Sequence, residues 1–232
     1  MSVKKVTKNR MSFTERQRQL LEVALNAFSR RGFKGTTTKE IAAAAGVAEA
    51  VIFQHFDSKD SLYSAVLDLR LDSSEEQNWL DEINDCMDRN DDEGLFRAFA
   101  EHILHSYSND PSLERVILFS ALEGHQQGLA RLKQQASPTF HRMFAYIARR
   151  QRKGALRKMN PHAVMITIAG MAHHYGLLTQ IIQAPIPKSS HKEMARLFTR
   201  ILMDGIKGNT SVKKKPARKK TPAKTHYRKA KK

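Results

Sequence analysis

The side chains of this 232-residue chain that could do chemistry are ten histidines, one cysteine and a large excess of cations. Covalent catalysis finds little to build on. The chain has no Gly-x-Ser-x-Gly elbow, no His-Glu-x-x-His pair, no phosphate-cradling glycine loop and no cysteine cluster. No enzyme and no cofactor are therefore expected. His173 and His174 invite a metal or haem, but neighbours on a helix point about 100° apart. Cys86 is far from them in sequence, so a hydrogen-bonded or interface histidine is the simpler reading. A lone cysteine excludes an internal disulfide and suits a reducing cytosol.

The cations point elsewhere. Forty Lys and Arg face 23 Asp and Glu, a net charge of +17, which implies a polyanionic partner. Residues 213–232 hold 11 basic residues and no acid, and residues 1–13 hold four and no acid, leaving +2 for residues 14–212. That body is polarised: residues 61–130 contain 15 acids and four bases, residues 131–212 two acids and 14 bases. The ends read as a basic arm, 1–13, and a low-complexity basic tail, 211–232. Like charges and the lack of anything to bury predict disorder for the tail. Its Pro-Ala-Lys texture resembles histone H1-like tails, and phosphate contacts made by counterion release would grip DNA without reading sequence. A solubilising extension is the alternative. No signal peptide is evident, and the run Ala163–Ala172 falls short of the ~18 residues of a membrane span. No membrane partner and a cytoplasmic, nucleoid-associated location are expected.

The elements that must position these charges are helices. Apolar residues recur at i, i+3, i+4 and i+7 in Leu21/Ala24/Leu25/Phe28 and again in Leu62/Ala65/Val66/Leu69. The spacing returns in Leu95/Ala98/Phe99/Ile103, Phe140/Met143/Phe144/Ile147 and Met194/Leu197/Phe198/Ile201. No period-2 pattern suggests a sheet, and no repeat suggests a solenoid. Breaks at Gly32, Gly46, Asn90–Gly94, Asn109–Pro111, Gly124–Gly128, Gly154–Pro161 and Ala184–Ser190 predict an all-α fold of about nine helices.

Residues 12–60 are the most informative. Ser12-Phe-Thr-Glu15 and Thr37-Thr-Lys-Glu40 each have the capping-box form that opens a helix. Gly46 falls where a tight turn needs positive φ. Two short helices joined at that glycine, with a longer helix in front, form a helix-turn-helix over 14–60. Ala42 and Ala45 allow a close crossing, and Ile41, Val47, Ile52 and Phe56 can fill the core.

The run from Leu20 to Phe33, then Thr36–Ala43, Ala45-Gly-Val47, Phe53-Gln-His-Phe56 and Ser58-Lys59, resembles the TetR/AcrR family of bacterial repressors. The resemblance covers about 50 residues. It implies an all-helical homodimer that binds double-stranded DNA through an N-terminal three-helix domain and a small-molecule effector through a C-terminal domain, here 61–210. Carried over position by position, Ala48–His55 is the recognition helix of the major groove, Ala50 included. Thr37 meets a phosphate at a helix N-terminus, and Lys59, Lys39 and His55 meet the backbone. Gln54 reaches a base edge or a phosphate. Val51 touches a thymine methyl, and Glu49 accepts from cytosine N4. Three positions depart from the family. Ala48 replaces a capping Ser, Phe53 replaces a Tyr that reaches phosphate, and Glu49 stands where a basic or polar residue is common. Weak intrinsic affinity, offset by the basic arms, is expected.

The helix from Pro161 to Gln183 is apolar on two faces and must be buried on both. Its stripe Val164, Ile168, Met171, Tyr175 and Leu178, with Leu197 and Ile201 of the last helix, is assigned to the dimer interface. Phe99, Tyr107, Phe119, Phe140, Met143, Phe144, Met171 and His174 are the candidate pocket lining, suited to a lipophilic ligand. The whole reads as a ligand-responsive regulator, a repressor on the strength of the resemblance. It would bind a palindromic operator as a dimer and leave it when an effector binds. The alternative is an architectural, histone-like protein with a vestigial pocket.

Overall fold

The computed structural model describes residues 11–71, 73–187 and 189–208. The first ten residues of the basic arm and the whole basic tail lie outside them. The described residues form ten helices: α1 (Phe13–Arg31), α2 (Thr38–Ala45), α3 (Glu49–His55), α4 (Lys59–Leu71), α5 (Ser74–Arg89), α6 (Asp92–Asn109), α7 (Ser112–Glu123), α8 (Gln126–Arg152), α9 (Pro161–Gly176) and α10 (His191–Ile206). A π-helical turn, Leu177–Ile181, continues α9. Among the described residues, extended backbone pairs only in an isolated bridge between Leu156 and Lys207.

Among the described residues there are ten helices rather than about nine, the additional boundary falling between α4 and α5, where no break was expected. The Ser73 hydroxyl accepts the Glu76 N–H at 3.2 Å and starts α5 afresh. Both expected capping boxes are present, Ser12 with Glu15 and Thr37 with Glu40. Gly46 closes α2 at φ 68° and ψ 34°, with Val47 N–H reaching back to Ala42 O at 3.0 Å. That is the Schellman closure, which satisfies carbonyls a helix end leaves free.

Two apolar cores follow. The N-terminal core gathers Leu20, Leu21, Ala24, Leu25 and Phe28 of α1, Ile41, Ala42 and Ala45 of α2, and Ile52 of α3. It continues into α4 with Leu62, Tyr63, Val66 and Leu67, and into α7 with Val116. Seven residues are far too few for a helix to stand alone, so α3 depends on Ile52, its one buried residue, and on Val51 packed at its flank. In the C-terminal core α6 packs against α5, α9 and α10. Arg150 of α8 binds Asp92 of α6 through two nitrogens at 2.8 and 2.9 Å, and Tyr146 donates to the same carboxylate at 2.6 Å.

The two faces of α9 are used in the opposite sense to that expected. Val164 and Ile168, assigned to the partner face, are 2% and 0% exposed inside the protomer's own core, and Met171 and Tyr175 pack against it. Small residues decide this: a side chain at Gly176 would collide with the ring of Tyr107, so that face is where α6 closes on α9. Leu178 is half-buried. Ile166 and Gly170 of α9 face outward, as do Leu197 and Ile201 of α10.

Candidate nucleic-acid interface

α1 sets the platform. Its first turn carries Phe13, whose exposed ring stacks on His55 of α3 with centroids 4.0 Å apart. His55 Nδ1 is covered and has no hydrogen-bond partner. Burial, and then the nearby Arg16, push the imidazole's pKa down, so the neutral ring is favoured. An orphaned lone pair costs less than an orphaned N–H, so the proton belongs on Nε2.

α2 and α3 are tied by a bond sequence spacing does not show: Thr38 Oγ1 donates to Glu49 Oε1 at 2.6 Å. Glu49 is half-buried and partly committed to holding the two helices at their crossing. Ala48 stands at the N-cap of α3 in extended conformation, and no side chain caps the helix. Ala48, Ala50, Phe53 and Gln54 are exposed, Phe53 to 49%, while Val51 is half-buried against the core. Of these exposed residues only Gln54 is polar.

Around it lie the groups expected at phosphates. Thr37 and Lys39 are exposed at the start of α2. The Thr37 hydroxyl already serves the capping box, accepting from Glu40 N–H at 3.2 Å and donating to Glu40 Oε2 at 2.9 Å. The Thr37 backbone N–H, donating to Glu40 Oε2 at 2.9 Å, then the Thr37 hydroxyl and Arg31, hold the Glu40 carboxyl below the ordinary carboxylate range. Lys59 opens α4 with its ammonium 4.1 Å above the centre of the Phe33 ring. Burial lowers its pKa, opposed by Asp60, Glu123 and Glu40.

Phe33 and three residues on or just past α7 were not singled out from the sequence. Glu123 accepts the backbone N–H groups of Phe33 at 3.0 Å and Lys34 at 3.2 Å. Tyr63 of α4 donates to Val116 O at 3.2 Å and is hydrogen-bonded to Ser120. His125 lies 3.2 Å from Asp60 and against the rings of Phe33 and Tyr63. None of these pairs is closer than 53 residues in sequence, so no local spacing announces them.

The expected pocket residues divide. Phe99, Tyr107 and Met143 are buried in the C-terminal core, with Phe140, Phe144 and Met171 packed against it. Phe119 lies against the Gly32 end of α1 instead, and His174 is exposed. An open groove of about 620 Å³ lies between α1 and α2, lined by residues such as Glu22, Asn26, Arg30 and Ala44. No cluster of three metal-ligating side chains exists among the described residues, and no described helix is long and apolar enough to cross a membrane.

Comparison with known proteins agrees with this geometry. Residues 20–66 match the family model for bacterial regulatory proteins of the tetR family. Residues 96–201 match the tetracyclin repressor-like C-terminal domain. The chain is 25% identical over 214 residues to the HTH-type transcriptional regulator RutR of Escherichia coli K12, covering 89% of this chain and 97% of that protein. Over 52 residues it is 40% identical to the HTH-type transcriptional repressor KstR2 of Rhodococcus jostii, 22% of this chain and 26% of that one. The same fold occurs in the fatty acid degradation regulator FadR of Bacillus halodurans, with a TM-score of 0.60 at 16% identity over 81% of this chain and 94% of that one. It occurs too in AibR, solved in complex with isovaleryl coenzyme A and operator DNA, with a TM-score of 0.62 at 18% identity over 81% and 97%. A capped helix-turn-helix joined to a helical body, matched by both family models, makes this chain a DNA-binding transcriptional regulator that belongs to the tetR family.

Proposed function

We propose that the chain is a ligand-responsive repressor that binds a palindromic operator as a homodimer and leaves it when a small apolar effector occupies the C-terminal body. The observation that carries this reading is the weld between α7 and the helix-turn-helix. Val116 belongs to the N-terminal core, Tyr63 is hydrogen-bonded to α7, and Glu123 holds the end of α1. A displacement of α7 is passed to α1 and α4, which frame the helix-turn-helix. Two recognition helices read half-sites one DNA turn, about 34 Å, apart. An effector that prefers a different separation therefore releases DNA by shifting the population.

The outward apolar stripe supports dimerisation: Ile166 is 70% exposed, Ile201 54% and Leu197 44%. Gly170 among them has open space above it, so a partner helix can approach closely. KstR2 is named a repressor, and AibR was solved with both an acyl coenzyme A and its operator, which supports the same division of labour here. Thr37, Lys39, Gln54, His55 and Lys59 are the proposed polar contacts to DNA, and the basic ends add affinity without sequence preference. Footprinting on DNA flanking the chain's own gene tests this. The expected result is protection of one or a few palindromic sites that is lost with effector. Uniform coating without preference would overturn it.

A further inference from the structure

If the C-terminal body holds an effector, as the reading above requires, its recognition chemistry lies where α5, α6, α8 and α9 meet. Trp79 of α5 is the chain's one tryptophan. Its indole lies nearly parallel to the imidazole of His102 on α6, with centroids 4.1 Å apart and planes 13° apart. Phe99 stands 6.1 Å from the indole, and Phe140 of α8 meets Phe99 edge-on at 6.0 Å. His102 Nε2 is 3.2 Å from Glu76 Oε2, both side chains mostly covered.

Within this aromatic seam Trp79 Nε1 has no accessible surface and no hydrogen-bond partner in the protein. Buried indole N–H groups ordinarily find an acceptor, because leaving one unpaired is costly. His102 and Glu76 are already paired to each other through Nε2 and Oε2. At its margin His173 of α9 sits edge-on to Tyr107 at 5.8 Å. It keeps an accessible surface, while burial, and then the neighbouring His102, lower its pKa.

We propose that Trp79 Nε1 is the anchor for the effector, donating to a carbonyl-type oxygen of a neutral, apolar molecule seated against Phe99 and Phe140. Neutrality follows from the charges. Among the described residues, no ion pair or cation–π contact brings a Lys or Arg to this group. A carboxylate would be desolvated beside Glu76 with one N–H to compensate, whereas a carbonyl needs only that one bond.

The full-length chain and three matched probes test it: phenylbutyramide, phenylbutyrate and butylbenzene. The sole tryptophan makes indole emission, and the single indole N–H proton resonance, reporters of this one site. The amide should shift both and raise Tm, binding roughly tenfold tighter than the acid or the hydrocarbon. Trp79→Phe keeps a ring and removes the donor, and should bring amide affinity down to that of the hydrocarbon, read by thermal shift. Preference for the acid, an unmoved indole resonance with every probe, or an unchanged affinity in W79F would each overturn the proposal. Displacement of operator DNA by a compound that leaves the indole untouched would overturn this site while sparing the regulatory reading. Indole shifts without any DNA displacement would count against that reading alone.

Discussion

The carboxylate of Glu123, the last residue of α7, accepts the backbone N–H of Phe33 at 3.0 Å just past the end of α1. One charged group so closes a helix end in the DNA-binding unit from the far side of the fold. Its backbone carbonyl also accepts Lys34 Nζ at 3.0 Å. Charge-assisted bonds to otherwise free amides are the stronger kind, and losing the acceptor costs about 1–3 kcal/mol. Glu123→Ala should lower unfolding stability by that amount in a denaturant titration. Gly32 makes a sharper test. Its φ of 71° with ψ of −178° lies in a region almost reserved for glycine, and an added Cβ would strike the Glu123 carboxylate. Gly32→Ala should cost more than Glu123→Ala. The double variant should cost less than the two together, because the collision with the carboxylate is then gone and only that with the Phe119 ring remains.

Ala48 predicts a gain. It occupies the N-cap of α3 with φ −73° and ψ 148°, a conformation Ser adopts freely, and offers the helix start no acceptor. Ala48→Ser should stabilise the chain by about 0.5–1 kcal/mol, raising Tm by a few degrees. No rise in the melting midpoint would overturn the reading that the start of α3 lacks an acceptor it could use.

These cases mark what the sequence could convey. Capping boxes, the Gly46 turn and the apolar spacing of α1 and α2 are local, set by residues three or four apart, and each appears in the structure as read. Ser73-Ser-Glu-Glu76 carried the same kind of local signal for a tenth helix, masked by the acidic run around it. Glu123 and Phe33 had no such signal, since their relation spans 90 residues. α9 failed for another reason. A helix apolar on two faces does not say which face goes inward, and only the fit of Tyr107 over Gly176 settles it. Phe13 likewise read as a helix-start residue, and its stack on His55 arises from the approach of α1 to α3.

His55 gives the fold a defined response to acid. Burial and Arg16 lower its pKa in the folded chain, whereas unfolded it titrates near the usual value of about 6.5. The unfolded chain therefore takes up a proton first on acidification. Stability from the neutral ring is full above about pH 6.5 and is lost as pH falls through the folded-state value. His55→Phe keeps the stack with Phe13 and cannot titrate. Denaturant midpoints measured across that window should fall less steeply in the variant than in the parent.

The basic tail supplies charge where the recognition helix has little. The helix-turn-helix segment 14–60 carries seven basic and six acidic residues, and residues 213–232 carry 11 bases. Each phosphate the tail neutralises should add about 0.9 to the slope of log affinity against log salt. Deleting 213–232 should flatten that slope and leave the preference for operator over random DNA intact. An unchanged slope in anisotropy titrations at several salt concentrations would remove the tail from the interface.

The orientation of α9 separates two isoleucines only two residues apart. Ile168 is fully buried and Ile166 is 70% exposed. Truncating a buried Ile leaves a cavity, so Ile168→Ala should cost about 2–5 kcal/mol and drop Tm without a specific effect on assembly. Ile166→Glu places a charge on the outward stripe beside Gly170. It should leave the melting of the isolated protomer close to the parent's, since the position is already in water. Against a second copy of the same face the charge must be desolvated without a partner, and the dimer should dissociate. Light scattering on both variants decides the matter: a monomeric mass for I166E and a parental mass for I168A place the partner on the Ile166 face, and the reverse pattern places it elsewhere. Operator affinity should follow the mass, because a single recognition helix holds only one half-site.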